Sequence, residues 1–220
     1  MGWAEDLQEI VWEKGDVRAV LRPTEYQDDF DNPRNEDYNV GVMACEHQRY
    51  NLGDYKNDTA NEVLHTLREH GRVPREVVER WLRIFYGATE VVWLGLIDHS
   101  GLSMYAGGGP SPFDPGGWDS GTVGLIFDTP KTRETTGIDT ALVAEALRTE
   151  IKVYDAYLQG QVYVAVLQRR VVITTSGVGI DRSESDWDDD EYVGVGVCVD
   201  EDDGKSAVRD VFPEDSDYSK

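Results

Sequence analysis

The stretch "EVVWLGLIDHSGLSMYAG", residues 90–107, decides the fold class. Its first half is apolar at consecutive rather than alternate positions, which predicts a central strand covered on both faces. Ser100-Gly101 then turns the chain into a second strand. Such a strand needs covering elements, and the flanking sequence supplies helices. Upstream, Asn57 to Gly71 places Val63, Leu64 and Leu67 at helical intervals, and Pro74 to Gly87 does the same with Val77, Val78, Trp81, Leu82 and Phe85. Pro74 suits a helix start, and Gly71 and Gly87 suit helix ends. Downstream, "GTVGLIFD" (121–128) predicts another strand, and Thr140 to Leu158 is the longest helical pattern, stopped by Gly160.

Further out, "VRAVLRP" (17–23) and "VGVMACEH" (40–47) predict strands, separated by a polar, turn-rich loop over residues 24–39. "QVYVAVLQRRVVITTSGVGI" (161–180) predicts a strand or hairpin, and "EYVGVGVCVDEDD" (191–203) a last strand with Val193, Val195, Val197 and Val199 along one face. In the opening "WAEDLQEIVWEKG" (3–15), Trp3, Leu7, Ile10 and Val11 predict an amphipathic helix stopped at Gly15. The class is α+β: a mainly antiparallel sheet of about five to seven strands with helices packed on it. One such domain spans residues 1–180, and an acidic C-terminal segment spans 181–220, with the last strand at 192–199.

At 220 residues with 40% hydrophobic content, the chain can bury a sizeable core. No apolar run is long enough for a membrane span, and the N-terminal residues lack the basic start and apolar core of a secretory signal. A host-cell cytoplasmic protein is expected, with Cys45 and Cys198 reduced and buried, since their separation fits no zinc spacing. The 43 acidic and 21 basic residues give a net charge of -22, which argues against direct nucleic-acid binding. Residues 181–220 hold fifteen acidic and four basic residues, half of the excess. Three readings compete: a solvated tail, adaptation to a high-salt cytoplasm, or a surface imitating nucleic-acid phosphate for a basic cleft on another protein. Only six of the basic residues are Lys, which favours high-salt (halophilic) adaptation, although a GC-rich genome would also favour Arg.

Four separated segments carry a resemblance: "NPRNEDYNVGVMACEHQRYNLGD" (32–54), "LIDHSGLSM" (96–104), "SPFDPGGWDSGTVGLIF" (111–127) and "EIKVYDAYLQGQVYVAVL" (150–167). In this order they resemble an uncharacterised family carried by phages, plasmids and related mobile elements. Its motifs are NPR...CxHxRYxLGD, DHSG, WDSGxVG and YDxYLxGxVY. The resemblance covers roughly residues 30–170 and implies an accessory protein of a mobile element, without supplying an activity. The chain departs from the pattern at Glu46, where the family often has an aromatic residue. Asp114-Pro115-Gly116-Gly117 replaces a Ser-Cys-Pro, so a catalytic thiol at that loop is unsupported. The acidic "DRSESDWDDDE" (181–191) is private to this chain.

The glycine loop beginning at Gly107 lacks the Gly-Lys-Ser/Thr of a phosphate cradle, and Lys131 arrives only after the next strand. Gly108, Gly109, Gly116, Gly117 and Gly121 are expected to serve tight turns at positive φ, Trp118 to anchor the loop, and Asp119 to accept amides in its own turn. A sharper reading gathers strand ends: His47, Asp54, His99 and Asp119 could together hold a metal or form an acid/base pair, although their spacing carries no zinc signature. The plainer reading makes them caps and braces, with Arg34 and Arg49 pairing to Asp54 or Asp119. His65 and His70 fit a charged helix surface, and Ser100 and Ser120 lack a nucleophile elbow. Tyr154 and Tyr157 should pack one helix face on the sheet.

These features lean away from an enzyme and towards protein binding, with no cofactor and no metal. An accessory protein of a virus or mobile element would present Asp186, Asp188, Asp189, Asp190 and Glu191, with Trp187 as apolar anchor, to a host or viral protein with a basic groove. Counter-defence by a DNA-mimicking surface is one version. The alternatives are a metal-assisted hydrolase using His47 and His99 with nearby carboxylates, and a virion structural component.

Overall fold

The run from Val91 forms a strand with helices over both its faces, because its consecutive side chains are all apolar and each face finds a separate cover. The computed structural model describes residues 9–23, 32–71, 73–177, 180–197 and 201–218. In chain order the elements are β1 (Glu9–Lys14), β2 (Val17–Pro23), β3 (Gly41–Cys45), α1 (Asp58–His70), α2 (Arg75–Phe85), β4 (Val91–Asp98), β5 (Leu102–Ala106), β6 (Ser120–Asp128), α3 (Pro130–Thr136), α4 (Val143–Leu158), β7 (Val162–Gly177), β8 (Ile180–Val197) and α5 (Glu201–Val211). Short 3-10 turns stand at Pro33–Asn35 and Thr140–Leu142. The α+β class with antiparallel pairing is as expected. The strands form two four-stranded sheets, β1-β2-β7-β8 and β3-β6-β4-β5, rather than one sheet.

The chain divides into two compact units, residues 32–160 and a second unit assembled from residues 1–31 and 161–220. The expected division at residue 180 instead falls at the tip of the β7–β8 hairpin.

In the central unit, Val42, Ala44, Leu125 and Phe127 face Val63 and Leu64 of α1 and Val78 and Leu82 of α2. Met43, Leu94, Leu96 and Ile126 face Val143, Leu147, Ile151 and Tyr154 of α4. Fully burying each such side chain contributes about 1.5–3 kcal/mol, so α4 is held mainly by its apolar stripe. The helix ends follow the sequence: Asn57 caps α1 by accepting from Ala60 N at 3.1 Å, and Gly71 ends it at φ +66°. Gly124 lets β3 and β6 close, since a Cβ there would sit 2.0 Å from the Ala44 carbonyl oxygen.

In the terminal unit, residues 9–14 are a strand, not the end of a helix; Trp3 and Leu7 lie outside the described residues. Pairing with β2 overrides the helical spacing of Ile10 and Val11, and Gly15, at φ +66°, makes a two-residue hairpin turn instead of a helix stop. The last strand begins at Ile180, so 181–191 is part of a ladder and not a free tail. A fifth helix, absent from the sequence reading, follows it: Val208 and Phe212 bury against Trp12, Ala19 and Leu167, and Trp12 Nε1 donates to the Phe212 carbonyl at 2.8 Å. Cys198 lies outside the described residues, whereas Cys45 is a buried free thiol.

Candidate functional site

Register brings several predicted residues to one end of the central sheet. Cys45 pairs with Gly124 and Ile97 with Ser120, so the exits of β3 and β4 meet the start of β6. There His47 Nε2 lies 3.6 Å from Asp98 Oδ2, Arg49 donates to the same carboxylate, and His99 Nδ1 lies 3.0 Å from Asp119 Oδ2. A cavity of about 330 Å³ opens beside them, lined by Glu46, His47, Arg49, Asp98, Trp118 and Asp119 among others. Asp54 is elsewhere, so the proposed quartet does not form. Among the described residues no three His, Cys, Asp or Glu side chains are placed to hold a metal ion. Asp98 is paired with Arg49, and Ser120 Oγ donates to Asp114 at 2.9 Å, which ties that hydroxyl into the turn of the glycine loop.

Asp54 belongs to a buried cluster around Arg34. The guanidinium donates from Nε and Nη2 to Asp54 at 2.8 and 3.0 Å, from Nη1 to Glu150 at 2.7 Å and Asn39 at 3.0 Å, and from Nη2 to the Gly41 carbonyl at 2.6 Å. Burial opposes the charge on Arg34, but Asp54 and then Glu150 outweigh it and hold its pKa above the ordinary value. The carboxylates in turn accept amides of β3 and of the residue before it: Met43 N to Asp54 at 2.8 Å and Val40 N to Glu150 at 2.5 Å. This is a brace for an edge strand, and Arg34 pairs with Asp54 as expected, whereas Arg49 takes Asp98. Beside it lies a polar cavity of about 510 Å³.

The glycine loop is ordered by Asp114, not Asp119. Asp114 Oδ2 accepts from Asp119 N and Ser120 Oγ, both at 2.9 Å, and those hydrogen bonds, the Asp119 amide first, lower its pKa. Of the five glycines singled out, only Gly109 and Gly117 have left-handed φ; at Gly108 and Gly116 side chains approach closely, and Gly121 meets neither condition. Trp118 is not an anchor: it is 88% exposed, and Phe113 is 94% exposed.

The acidic run lies on β8, the edge of the terminal sheet. Register sets Asp189 beside Gln168 and, through it, Arg18. Asp189 accepts from Arg22 at 3.0 and 3.1 Å, from Gln168 at 2.6 Å and from the Tyr192 hydroxyl. Burial raises its pKa, but Arg22, Tyr192 and Gln168 more than reverse that and bring it to about 2. Asp190 pairs with Arg169 at 2.5 Å. Trp187 is half-buried, with the guanidiniums of Arg18 and Arg170 at 4.5 and 4.8 Å over its ring. Asp189 and Trp187 are therefore parts of the sheet, while Asp186, Asp188, Asp190 and Glu191 remain exposed. The exposed apolar neighbours are Val172, Ile173 and Tyr192, which alternation along an isolated strand did not mark.

The fold and these sites define a two-unit antiparallel α+β protein with braced ion pairs and an acidic sheet edge. No protein-family model, no curated protein and no solved structure matches the chain. No helix among the described residues is long and apolar enough to cross a membrane.

Proposed function

We propose that the chain acts by binding another protein, with the β7–β8 hairpin as its docking element and a basic groove as its target. The observation that carries this reading is the hairpin itself. β2 pairs with β7 only as far as Arg169, so beyond Arg170 the two long strands pair, among the described residues, only with each other. Along that arm and its root, exposed Asp186, Asp188, Asp190 and Glu191 stand near exposed Val172, Ile173 and Tyr192. The terminal unit holds 24 acidic and nine basic residues, against 19 and twelve in the central unit, so most of the excess charge lies in the unit that carries the hairpin. Carboxylates around an apolar patch suit a partner that ordinarily grips nucleic-acid phosphate, because the same cations serve both ligands. The resemblance to a mobile-element family is consistent with an accessory, counter-defence role of this kind.

The test is affinity capture from a bacterial extract at low and high salt, with the wild-type chain and a variant carrying Asp186→Asn, Asp188→Asn, Asp190→Asn and Glu191→Gln. Capture of a basic, DNA-handling protein that is lost in the variant and weakened about tenfold by a severalfold rise in salt is expected. Undiminished capture by the variant would remove the hairpin from the function.

A further inference from the structure

The helical pair α1–α2 has an outer surface unlike the rest of the chain. On α2, Val78 and Leu82 bury into the core, but the apolar arc continues past them: Val77 is 53%, Ile84 64% and Phe85 72% exposed. Trp81 is partly buried and touches Phe85 and Tyr86, with ring centroids 6.4 and 5.2 Å apart. Between the helices an apolar groove of about 420 Å³ is lined by Leu67 and His70 of α1, Val73, and Val77, Val78 and Trp81 of α2. A helix needs about a third of its surface to be apolar for packing on one core; α2 carries a second, uncovered stripe.

Charge limits what can cover it. Residues 58–85 contain five acidic and five basic residues, so this segment is neutral in a chain of net charge -22. A strongly basic partner gains nothing here. Two copies of the chain, which repel each other over most of their surface, meet no net repulsion at this place.

The sequence of α2 is also complementary to itself. In an antiparallel pair with Trp81 on the two-fold axis, residues equally distant from Trp81 face each other. Val77 then meets Phe85, Glu76 meets Tyr86, and the Glu79–Arg83 ion pair, 3.7 Å within each helix, lies across from its own copy in reversed order; no position sets like charges opposite.

We infer that the outer face of α1–α2 is a homodimer interface in which α2 packs antiparallel on α2 of a second copy of this chain. The contact is isologous and apolar, with Glu79 and Arg83 fixing the direction of the pair. It is independent of the acidic hairpin, and its salt response has the opposite sign. Screening reduces the repulsion between two highly acidic chains and leaves the apolar stripe untouched, so salt strengthens the dimer.

Sedimentation equilibrium of the full chain, from about 5 to about 500 µM at low and at about 0.5 M salt, tests this. The expected result is a mass rising from 24.7 kDa towards twice that value, at lower concentration in the higher salt. Ile84→Glu and Phe85→Glu alter exposed side chains and should give monomers with an unchanged far-ultraviolet spectrum. Arg83→Glu, which sets two carboxylates opposite each other, should weaken the dimer by about fivefold or more. A wild-type chain that stays at the monomer mass throughout overturns the inference. So does a dimer that persists undiminished in the Ile84 and Phe85 variants, since its interface would lie elsewhere.

Discussion

Replacing Arg34 by Met should be among the most damaging single changes in the central unit. Its guanidinium makes five hydrogen bonds, three of them to Asp54 and Glu150, and its side chain is 2% exposed. Met fills much of the volume but leaves two carboxylates largely out of water with no cation between them. Breaking a buried pair from one side costs about 3–5 kcal/mol, a large part of the 5–15 kcal/mol that holds a typical domain together. Arg34→Lys keeps the charge but loses the fork, and with three donors in place of five it should cost about 1–3 kcal/mol. Adding Asp54→Asn and Glu150→Gln to Arg34→Met should recover part of the loss, because no uncompensated charge is then buried. Urea unfolding followed by far-ultraviolet dichroism reads chiefly the central unit, which holds four of the five helices among the described residues. Hydrogen exchange localises the effect: the amides of Val40, Gly41 and Met43 donate to Glu150 and Asp54 and should lose protection first. An Arg34→Met chain within about 1 kcal/mol of wild type, or with β3 protection unchanged, would refute the assignment of this cluster as the brace of the edge strand.

Asp189 should make the terminal unit acid-sensitive: its folded pKa of about 2 lies below the ordinary 3.8, so its contribution is complete above about pH 4 and disappears as pH falls towards 2. The full shift corresponds to about 2.5 kcal/mol, and with the side chain a quarter exposed solvent screening leaves about 1 kcal/mol, measurable as a stability gap between wild type and Asp189→Asn that closes across that window. Gly124→Ala should destabilise the central unit by about 2 kcal/mol or more in thermal melts, since its Cβ would meet the Ala44 carbonyl backbone at 2.0 Å. Burial pushes the Cys45 thiol well above its ordinary pKa, so Cys45 should resist a thiol reagent at neutral pH until urea unfolds the chain; fast labelling of Cys45 in the native protein, read by peptide mass, would contradict this.

The central unit was legible where local signals and tertiary packing agree. Asn57, Gly71 and Gly160 mark helix ends in the sequence and do so in the fold, and the continuous run from Val91 is a strand covered twice, as its pattern suggests. The terminal unit was less legible, because its elements are defined by partners distant in sequence. Ile10 and Val11 fit a helix until β2 folds back on them, and Asp189 looks like a solvated charge until β2 places Arg22 beside it. Among the candidate site residues, Arg34 with Asp54 could be read from composition and nearness in sequence. Glu150, which completes that cluster from α4, could not, and neither could Asp114, whose partners Asp119 and Ser120 give no outward sign of being bound by it.

Net charge by itself says little about which surface of this chain does what, because the charge is unevenly engaged. Arg22, Arg169 and Arg18 are drawn into β8 by Asp189, Asp190 and the ring of Trp187, so the most acidic segment in the sequence is also one of the most internally compensated. What remains for a partner is the subset of carboxylates that the ladder leaves exposed, Asp186, Asp188, Asp190 and Glu191, and those run from the root of the hairpin onto an arm that, among the described residues, has no sheet neighbour at its far end. The neutral α1–α2 surface is the converse case: equal numbers of acids and bases there leave the apolar stripe as the dominant feature. Raising salt therefore acts in opposite directions on the two, weakening association through the hairpin and strengthening association through α2. A single salt titration with each surface altered in turn separates them. If both variants shifted in the same direction with salt, the division of labour between an electrostatic and an apolar surface would be untenable.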